Sequence, residues 1–365
     1  MNLPISAAIL ADVPVLWYGM PGIGKTARIY QAAKKYGVHI EDIRGSRIRP
    51  IDLGVLLPRI TKTSAELIEA PPAWALRLRK AVDAGRPAWL FLGELSCVPP
   101  ETQAALLGVV QERNIAGVDL SGVRIIADAN PYEMTTTGYL FEPAMANRFF
   151  HLKANPDLDS WAAWLEGDPS ADEFIHPKAI MNINYDKLSD LTAQARRFLA
   201  SLARRFRDLV SLPKKAQARS EPWGSFRTWD MAMRMLAALA YITDSSIREV
   251  SLSDDGHLVV HGCVGIDYAA SWNKWITYMD LPDPSDLLEG KADLPEDQHT
   301  MSIALESAAA LVTKESPKEV KEALASLIRE VAINRNRPDL ALKAAKMAIA
   351  AGVMLDDAVL DKLMP

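Results

Sequence analysis

The residues in this chain with the clearest capacity for chemistry form one short segment near residue 20. In order they are Gly19-Met20-Pro21-Gly22-Ile23-Gly24-Lys25-Thr26. The segment fits the pattern G-x-x-x-x-G-K-[ST], in which glycines let successive backbone N–H groups surround phosphate oxygens. Lys25 would then reach the β- and γ-phosphates of ATP, and the Thr26 hydroxyl would ligate Mg²⁺. The sequence therefore predicts a binding site for ATP and Mg²⁺ at this loop.

The sequence on either side places this loop where such a site needs it. Val13–Tyr18 is a short apolar run typical of a strand, and Lys25–Lys35 is predicted as a helix. A loop that runs into a helix N-terminus gains partial positive charge for binding an anion. This context favours a phosphate loop over a chance glycine-rich turn.

A second candidate is a carboxylate that follows another apolar run. The run Trp89-Leu90-Phe91-Leu92 is followed by Gly93 and Glu94. Glu94 could accept a proton from an attacking water molecule, or orient that water. The alternative is a surface glutamate at the end of a strand. The phosphate loop in the same chain favours the catalytic interpretation.

The order of predicted elements indicates how these residues are positioned. Strands alternate with helices up to about residue 153, which is typical of a parallel α/β sheet. The predicted strands are Val13–Tyr18, Val38–Arg44, Ala88–Leu92, Val123–Ala127 and Phe149–Leu152, and the predicted helices include Lys25–Lys35 and Pro99–Glu112. We therefore predict an α/β nucleotide-binding domain over residues 1–153.

The rest of the chain is predicted to be mostly helical. Residues 154–245 are predicted as a helical lid domain, with Trp161, Trp164, Trp223 and Trp229 in its core. Residues 246–365 are predicted as a C-terminal appendage with a short β-ribbon, a linker and a helical bundle. The ribbon is assigned to Leu252–Cys263 and the linker to Pro282–Asp297, which is rich in proline and acids.

Several further motifs resemble those of the MoxR-like AAA+ ATPases of the helix-2-insert clade, over roughly residues 10–240. They are Glu69-Ala70-Pro71-Pro72-Ala73-Trp74, Pro100–Leu107 followed by Gln111-Glu112-Arg113, Ala129-Asn130-Pro131, Ala146-Asn147-Arg148-Phe149, and Gly224-Ser225-Phe226-Arg227. In the last motif Phe226 replaces a proline of the family. The resemblance implies an AAA+ P-loop parallel-sheet core with a helical lid and a mostly helical C-terminal domain.

The resemblance also implies roles for three of these residues. Asn130 would polarise the attacking water or touch the γ-phosphate. Arg148 would reach the ATP of the neighbouring subunit, and Arg227 would sense the nucleotide of its own subunit. Positioned charge is what phosphoryl transfer needs most. Singly, each residue could instead be a turn asparagine or a surface arginine.

One departure from the family concerns the metal. The family expects an aspartate before Glu94, where this chain has Gly93. Asp128 is a possible substitute, because it lies two residues before Asn130 and so on the same face of its strand. In the AAA+ strand order that strand would lie beside the one with Gly93. The alternative is that Asp128 caps a turn or binds backbone.

The implied assembly is a ring of identical subunits, expected to be a hexamer, that remodels or assembles a partner protein. By resemblance, that partner could carry a von Willebrand factor A domain. Two alternatives stay open. A nucleic-acid-dependent motor or clamp-loader-like protein is favoured by the basic stretch Arg196–Arg219, and a non-hydrolysing ATP-gated scaffold is favoured by Gly93.

Composition agrees with a cytoplasmic protein. The chain has 365 residues and only two cysteines, which excludes a disulfide framework and suits a reducing compartment. It contains no apolar run of about 18 residues, so no membrane span is expected. The net charge of −5 gives no bulk attraction to polyanions.

Overall fold

The computed structural model describes residues 2–60, 65–131, 134, 138–168, 173–205, 209–211, 220–277, 282 and 284–363. The chain divides into two compact units, Met1–Ile276 and Thr277–Pro365. The phosphate loop and all the other predicted site residues belong to the first unit.

The strands are β1 Val15–Tyr18, β2 His39–Arg44, β3 Val55–Ile60, β4 Ala65–Ala70, β5 Ala88–Gly93, β6 Asn114–Ile115, β7 Val118–Asp119, β8 Val123–Ala129 and β9 Phe150–Lys153. The first helices are α1 Leu3–Leu10, α2 Lys25–Lys35, α3 Ala73–Asp83, α4 Pro100–Leu107, α5 Pro143–Ala146 and α6 Leu158–Leu165. They are followed by α7 Tyr185–Arg205, α8 Phe226–Thr243, α9 Ile247–Leu252, α10 Asp254–Val264 and α11 Ile266–Thr277. The helices after them are α12 Pro284–Leu288, α13 Gln298–Leu311, α14 Lys318–Arg329, α15 Pro338–Ala350 and α16 Asp357–Leu363.

Five strands form a parallel sheet in the order β2-β5-β8-β1-β9. Its inner strands are almost entirely buried, because helices cover both faces of a parallel sheet. The carboxyl ends of β1, β5 and β8 meet at one edge, and the phosphate loop, Glu94 and Asn130 follow them directly. The chain thus has the predicted α/β P-loop fold of AAA+ type, with β8 beside β5 as expected.

Helices α7 to α10 pack against one another, and α10 also contacts β9. Helix α8 is the most buried of them, and it packs against α7, α10 and α1. Its start is defined by a capping box, in which Ser225 and Thr228 each accept from the other's backbone N–H. The side chain of Trp229 is buried, and its indole N–H donates to Leu209 O at 2.8 Å. Residues 154–245, which were predicted as a lid, contain α6, α7 and α8 and belong to the first unit.

The predicted β-ribbon at Leu252–Cys263 is wrong, because residues 254–264 form helix α10. Ser253 caps this helix by accepting from the Gly256 N–H at 3.1 Å. Asp254 and Asp255 therefore lie in a first helical turn, where acids are favourable, and not in a hairpin turn. Val259, Val260 and Cys263 of this segment are buried, and the helix packs against α8 and β9.

Because of this packing, the first unit ends later in the chain than predicted. Helices α9 to α11 pack with α8, α1 and β9, so the observed division lies at residues 276/277 and not near residue 245. A second expectation fails in α6, where Trp161 and Trp164 are 56% and 50% exposed and do not belong to a lid core. No residue of α6 is buried in the described structure.

The second unit is helical, as predicted, with a core that joins α12 to α16. Fully buried residues such as Leu305, Leu324 and Ile328 form its centre. The segment predicted as a linker contains α12, and its Leu287 and Leu294 are buried in this core. The prolines and acids of this segment are typical of a linker, but the leucines between them pack into the core. In the described part of the chain, no helix is both long and apolar enough to cross a membrane.

Candidate functional site

The phosphate loop has the backbone geometry that its glycines allow. Gly22 and Gly24 both have φ of +85°, in the left-handed region that side chains rarely adopt. Gly24 is the N-cap residue of α2, so the N-terminus of that helix faces the loop. A Cβ on Gly19 would lie only 2.7 Å from the Cβ of Ala154. Glycine is therefore required at three positions of the motif, for conformation or for space.

Lys25 is held at the centre of this loop. Its side-chain amine donates to Gly19 O at 2.7 Å and to Met20 O at 3.0 Å, and only 6% of the residue is exposed. Burial lowers the pKa of Lys25, and the nearby Asp128 carboxylate opposes that shift. The amine is thus positioned where a phosphate oxygen would replace the carbonyl partners. Thr26 follows it in the first turn of α2 and is half-buried.

Asn130 lies beside Lys25, as its predicted role requires. Its Oδ1 accepts from the Lys25 amine at 3.3 Å, across 105 residues of sequence. The backbone N–H of Asn130 donates to Ser96 Oγ at 3.4 Å, and this weak bond has a buried serine as its acceptor. Ser96 was not identified from the sequence. A serine two residues after Glu94 carries no signal of its own.

Glu94 follows β5 at the same edge of the sheet and is half-buried. Its backbone has φ of 58°, in the left-handed region that is strained for a glutamate. Such strain is common at functional sites, because the surrounding structure must hold it in place. Here the holding group is Asp128, whose Oδ1 accepts the Glu94 backbone N–H at 2.7 Å.

Asp128 is a buried carboxylate with more than one partner. Burial raises its pKa, while the Glu94 N–H and the charges of Lys25 and Arg44 act in the opposite direction. The sequence left open whether Asp128 orients a metal or binds backbone. The structure shows the backbone bond, so at least one oxygen of Asp128 is already committed within the protein.

Arg44 is the residue of the site that sequence reasoning missed. It ends β2 and pairs in register with Gly93, the position where the family has an acid. A Cβ on Gly93 would lie 2.9 Å from Arg44 Nη1 and 3.2 Å from its Cζ. The guanidinium therefore fills the volume that an aspartate side chain would need. The only signal in the sequence was indirect: a glycine leaves room for a long side chain from the next strand.

This arrangement fits Mg²⁺ poorly at the position next to Gly93. The acid that would orient the ion is absent, and a fixed positive charge takes its place. Asp128, the predicted substitute, lies near the charges of Lys25 and Arg44 and is bound to the Glu94 backbone. Among the described residues, no group of three or more acids, histidines or cysteines could hold a metal.

Arg148 lies at the opposite edge of the sheet from its own phosphate loop. Val15 pairs with Phe150 and Tyr18 with Lys153, so Arg148 precedes the amino end of β9. The loop follows the carboxyl end of β1, roughly 15–20 Å away along the strand direction. Burial and the charge of Arg227 lower the pKa of Arg148, and its Nε is buried without a hydrogen-bond partner in the described structure.

Arg227 lies near Arg148, whose pKa is lowered by burial and by the charge of Arg227. The start of α8 is docked there, because Ser225 Oγ donates to Asn147 Oδ1 at 2.8 Å. Asn147 in turn donates to Trp223 O at 3.2 Å. The charge of Arg227 therefore adds to the effect of burial and disfavours the charge of Arg148. The predicted role of Arg227 as a sensor of its own nucleotide stays a prediction.

A cavity of about 1000 Å³ borders the phosphate loop on the side of β9. Gly19, Met20 and Asn130 form one wall, and α10 and α11 contribute another. His151 lines it from β9 and is fully buried, and burial lowers its pKa to about 4. A neutral His151 donates from Nε2 to Ala146 O at 2.8 Å. The cavity is within the size range of small-molecule sites, roughly 300–1,000 Å³.

The basic stretch Arg196–Arg219 is only partly described. Arg196 pairs with Asp230 at 2.7 Å, which neutralises one of its charges. Residues 206–208 and 212–219 lie outside the described residues, as do the side chains of Arg204 and Arg205. The nucleic-acid interpretation of this stretch stays a prediction.

Comparison with known proteins adds little to this geometry. No protein-family model matches the chain, and no curated protein sequence matches it. The chain is similar to a crystal structure from Cytophaga hutchinsonii, a protein provisionally described as an ATPase. The two share 17% identity over 72% of this chain and 79% of that chain, with a TM-score of 0.44. At this similarity, the fold assignment rests on the strand order and the loop of this chain.

Proposed function

We propose that the chain is an ATP-binding protein of the AAA+ type, related to the MoxR-like clade, that hydrolyses ATP only when assembled. The observation that carries the proposal is the contact of Lys25 with the loop carbonyls and with Asn130. It joins the phosphate loop to the end of β8 beside Glu94. The groups that bind phosphate and the candidate base thus share one edge of the sheet.

In this proposal ATP binding comes from the loop and the helix α2. The backbone N–H groups of the loop and Lys25 would bind the phosphates, and the adjoining cavity would take the nucleoside. Asn130 and Glu94 would then orient a water molecule against the γ-phosphate. No step of this proposal depends on a metal contact from Asp128.

Assembly is proposed because Arg148 precedes the amino end of β9 and is far from the phosphate loop of its own chain. The nearby charge of Arg227 disfavours the charge of Arg148, and the buried Nε of Arg148 lacks a hydrogen-bond partner in the described structure, which suits a site for an anion. A nucleotide on a neighbouring copy would supply that anion. A contact between two different faces of identical chains closes into a ring if the rotation allows, and we propose a hexamer. The work of the ring would be to remodel or assemble a partner protein, of which one carrying a von Willebrand factor A domain is the proposed example.

The test measures ATP binding and assembly in one preparation. Calorimetry should detect ATP binding by the native chain and none by Lys25→Ala. Mass photometry with and without ATP should detect a larger assembly that depends on nucleotide. A native chain that binds no ATP would contradict the proposed function at its base.

A second candidate is an ATP-gated scaffold with little or no hydrolysis. The guanidinium of Arg44 in the place of an acid favours it, since the usual metal-orienting group is missing. Phosphate release by the assembled protein separates the two candidates. Release that exceeds the Lys25→Ala background supports the ATPase, and ATP-dependent assembly without release supports the scaffold.

A further inference from the structure

Arg44 is held rigidly at the edge of the phosphate site. Asp42 Oδ2 accepts from its Nη2 at 2.7 Å, and the guanidinium lies 5.6 Å from the centre of the Phe91 ring. Asp42 itself is fixed by the Tyr30 hydroxyl, which donates to the same oxygen at 2.7 Å. These contacts leave Nη1 directed at the position above Gly93. The cation is therefore preorganised, and its place does not depend on a ligand.

The position above Gly93 is one that normally acts on phosphates through a metal. In P-loop proteins an acid there holds Mg²⁺, and Mg²⁺ bridges the β- and γ-phosphates. A guanidinium in that volume is positively charged, as the ion is, whereas the acid is negatively charged. Its forked N–H groups also match phosphate oxygens directly.

We propose that Arg44 contacts the terminal phosphates of the bound nucleotide and replaces Mg²⁺ there, so that nucleotide affinity depends little on Mg²⁺. The inference rests on the proposed ATP binding and adds a phosphate-binding residue to it. The charges of Lys25 and Arg44 both act on the buried Asp128 carboxylate, which is bound to the Glu94 backbone. Phosphate entering this site would meet two cations that are held by contacts within the protein.

A purely structural role is the competing explanation. Arg44 could serve only to pair with Asp42 and to neutralise Asp128 and Glu94. In that case its removal would change stability, and the dependence of nucleotide affinity on Mg²⁺ would stay the same. The two explanations differ in a binding measurement, and hydrolysis is not needed to separate them.

The experiment compares nucleotide affinity in Mg²⁺ and in EDTA. Calorimetry with ATP and with ADP would use the native chain, Arg44→Gln, Arg44→Lys and Gly93→Asp. Arg47→Gln is the matched control, because Arg47 is an exposed arginine three residues away. Thermal melting would check that each variant is folded.

The native chain should lose less than about threefold in affinity on transfer to EDTA. Arg44→Gln should lose about tenfold or more in EDTA, with a smaller loss in Mg²⁺, while Arg47→Gln behaves as native. Arg44→Lys should lie between them, because it keeps the charge without the fork. Gly93→Asp should become Mg²⁺-dependent by about tenfold, since its carboxylate would engage Arg44 and offer a metal ligand.

Two results would overturn the inference and leave the proposed function intact. One is native binding that collapses in EDTA. The other is a folded Arg44→Gln chain with the same Mg²⁺ dependence as Arg47→Gln. If Arg44→Gln does not fold, the Mg²⁺ dependence of nucleotide affinity in the native chain and in Gly93→Asp still tests the inference. Absence of nucleotide binding by the native chain in both buffers would instead overturn the proposed function, and the inference with it.

Discussion

The Asp128 carboxylate accepts a 2.7 Å hydrogen bond from the backbone N–H of Glu94, where the Glu94 backbone is in the left-handed region. This bond ties the end of β5 to β8 and offsets part of the strain at Glu94. The burial of the Asp128 carboxylate, which raises its pKa, is thus explained by the Glu94 backbone that it holds in place. The orientation of the candidate base depends on the strand beside it.

Replacement of Asp128 should therefore change the position of Glu94 rather than the binding of a metal. Asp128→Ala should destabilise the chain by about 1–3 kcal/mol, because a buried N–H loses its partner. It should also slow hydrolysis, while the Mg²⁺ concentration at half-maximal rate stays unchanged. Asp128→Asn keeps an acceptor and should retain most of the stability. Urea unfolding and phosphate release against Mg²⁺ check both, and a several-fold shift of the Mg²⁺ midpoint in both variants would restore the metal role of Asp128.

Lys25→Ala should weaken ATP binding at least about 100-fold, because it removes the cation held at the centre of the loop. The matched control is Lys35→Ala, at the other end of the same helix, where the lysine pairs with Glu173 at 3.8 Å. That variant should bind ATP as the native chain does. Calorimetry measures both, and equal affinity for the two variants would disprove the phosphate-loop assignment.

Arg148→Ala should leave ATP binding nearly intact and reduce hydrolysis by about 10³-fold, since a stabilising charge would be lost from the neighbour's nucleotide. Arg227→Ala should show the same split between binding and rate, because the charge of Arg227 lies near that of Arg148. Single-turnover phosphate release and calorimetry separate the two quantities. A large loss of ATP affinity in Arg227→Ala would indicate that it serves its own chain.

Mixed assemblies test whether Arg148 acts between chains. A Lys25→Ala chain keeps Arg148, and an Arg148→Ala chain keeps a working loop. In an equal mixture about a quarter of the interfaces join an intact loop to an intact arginine, so about a quarter of native activity should return. A Lys25→Ala chain mixed with the Lys25→Ala, Arg148→Ala double variant should return none. No recovery in assemblies shown to be mixed would rule out the role between chains.

His151 should make stability depend on pH. Its pKa is about 4 in the folded chain because of burial, against about 6.5 when unfolded. Unfolded chains therefore take up more protons between these values, so the stability present above about pH 6.5 is lost as the pH falls towards 4. The loss is about 3 kcal/mol.

Two variants isolate this contribution from that of the carboxylates. His151→Gln can still donate to Ala146 O but does not titrate, so it should lack this part of the pH dependence. His261→Gln changes an exposed histidine of the same cavity and should behave as the native chain does. Urea unfolding from pH 4 to 7.5 checks both, and identical pH curves for native and His151→Gln would contradict the prediction.

The sequence by itself determined the phosphate loop, the five strands of the parallel sheet, and the placement of Glu94 and Asn130 at strand ends, but not α1, α3 or the two short antiparallel pairs β3-β4 and β6-β7. Those features are local: a glycine pattern, an apolar run and the residue that follows it define them. Helix α10 was predicted wrongly for a related reason. Its short apolar run Leu258-Val259-Val260 suits either a strand or a helix, and only packing against α8 and β9 selects the helix.

The tertiary structure alone decided which distant residues meet. Arg44 reaches the empty volume over Gly93 only because β2 pairs with β5 in that register. Asp128 binds the Glu94 backbone because β8 lies beside β5, and Arg227 lies by Arg148 because Ser225 binds Asn147. The type and spacing of a side chain indicate what it can bind, but strand register and helix docking determine which partner it meets. Those are sums of many weak contacts over the whole chain, and no short motif records them.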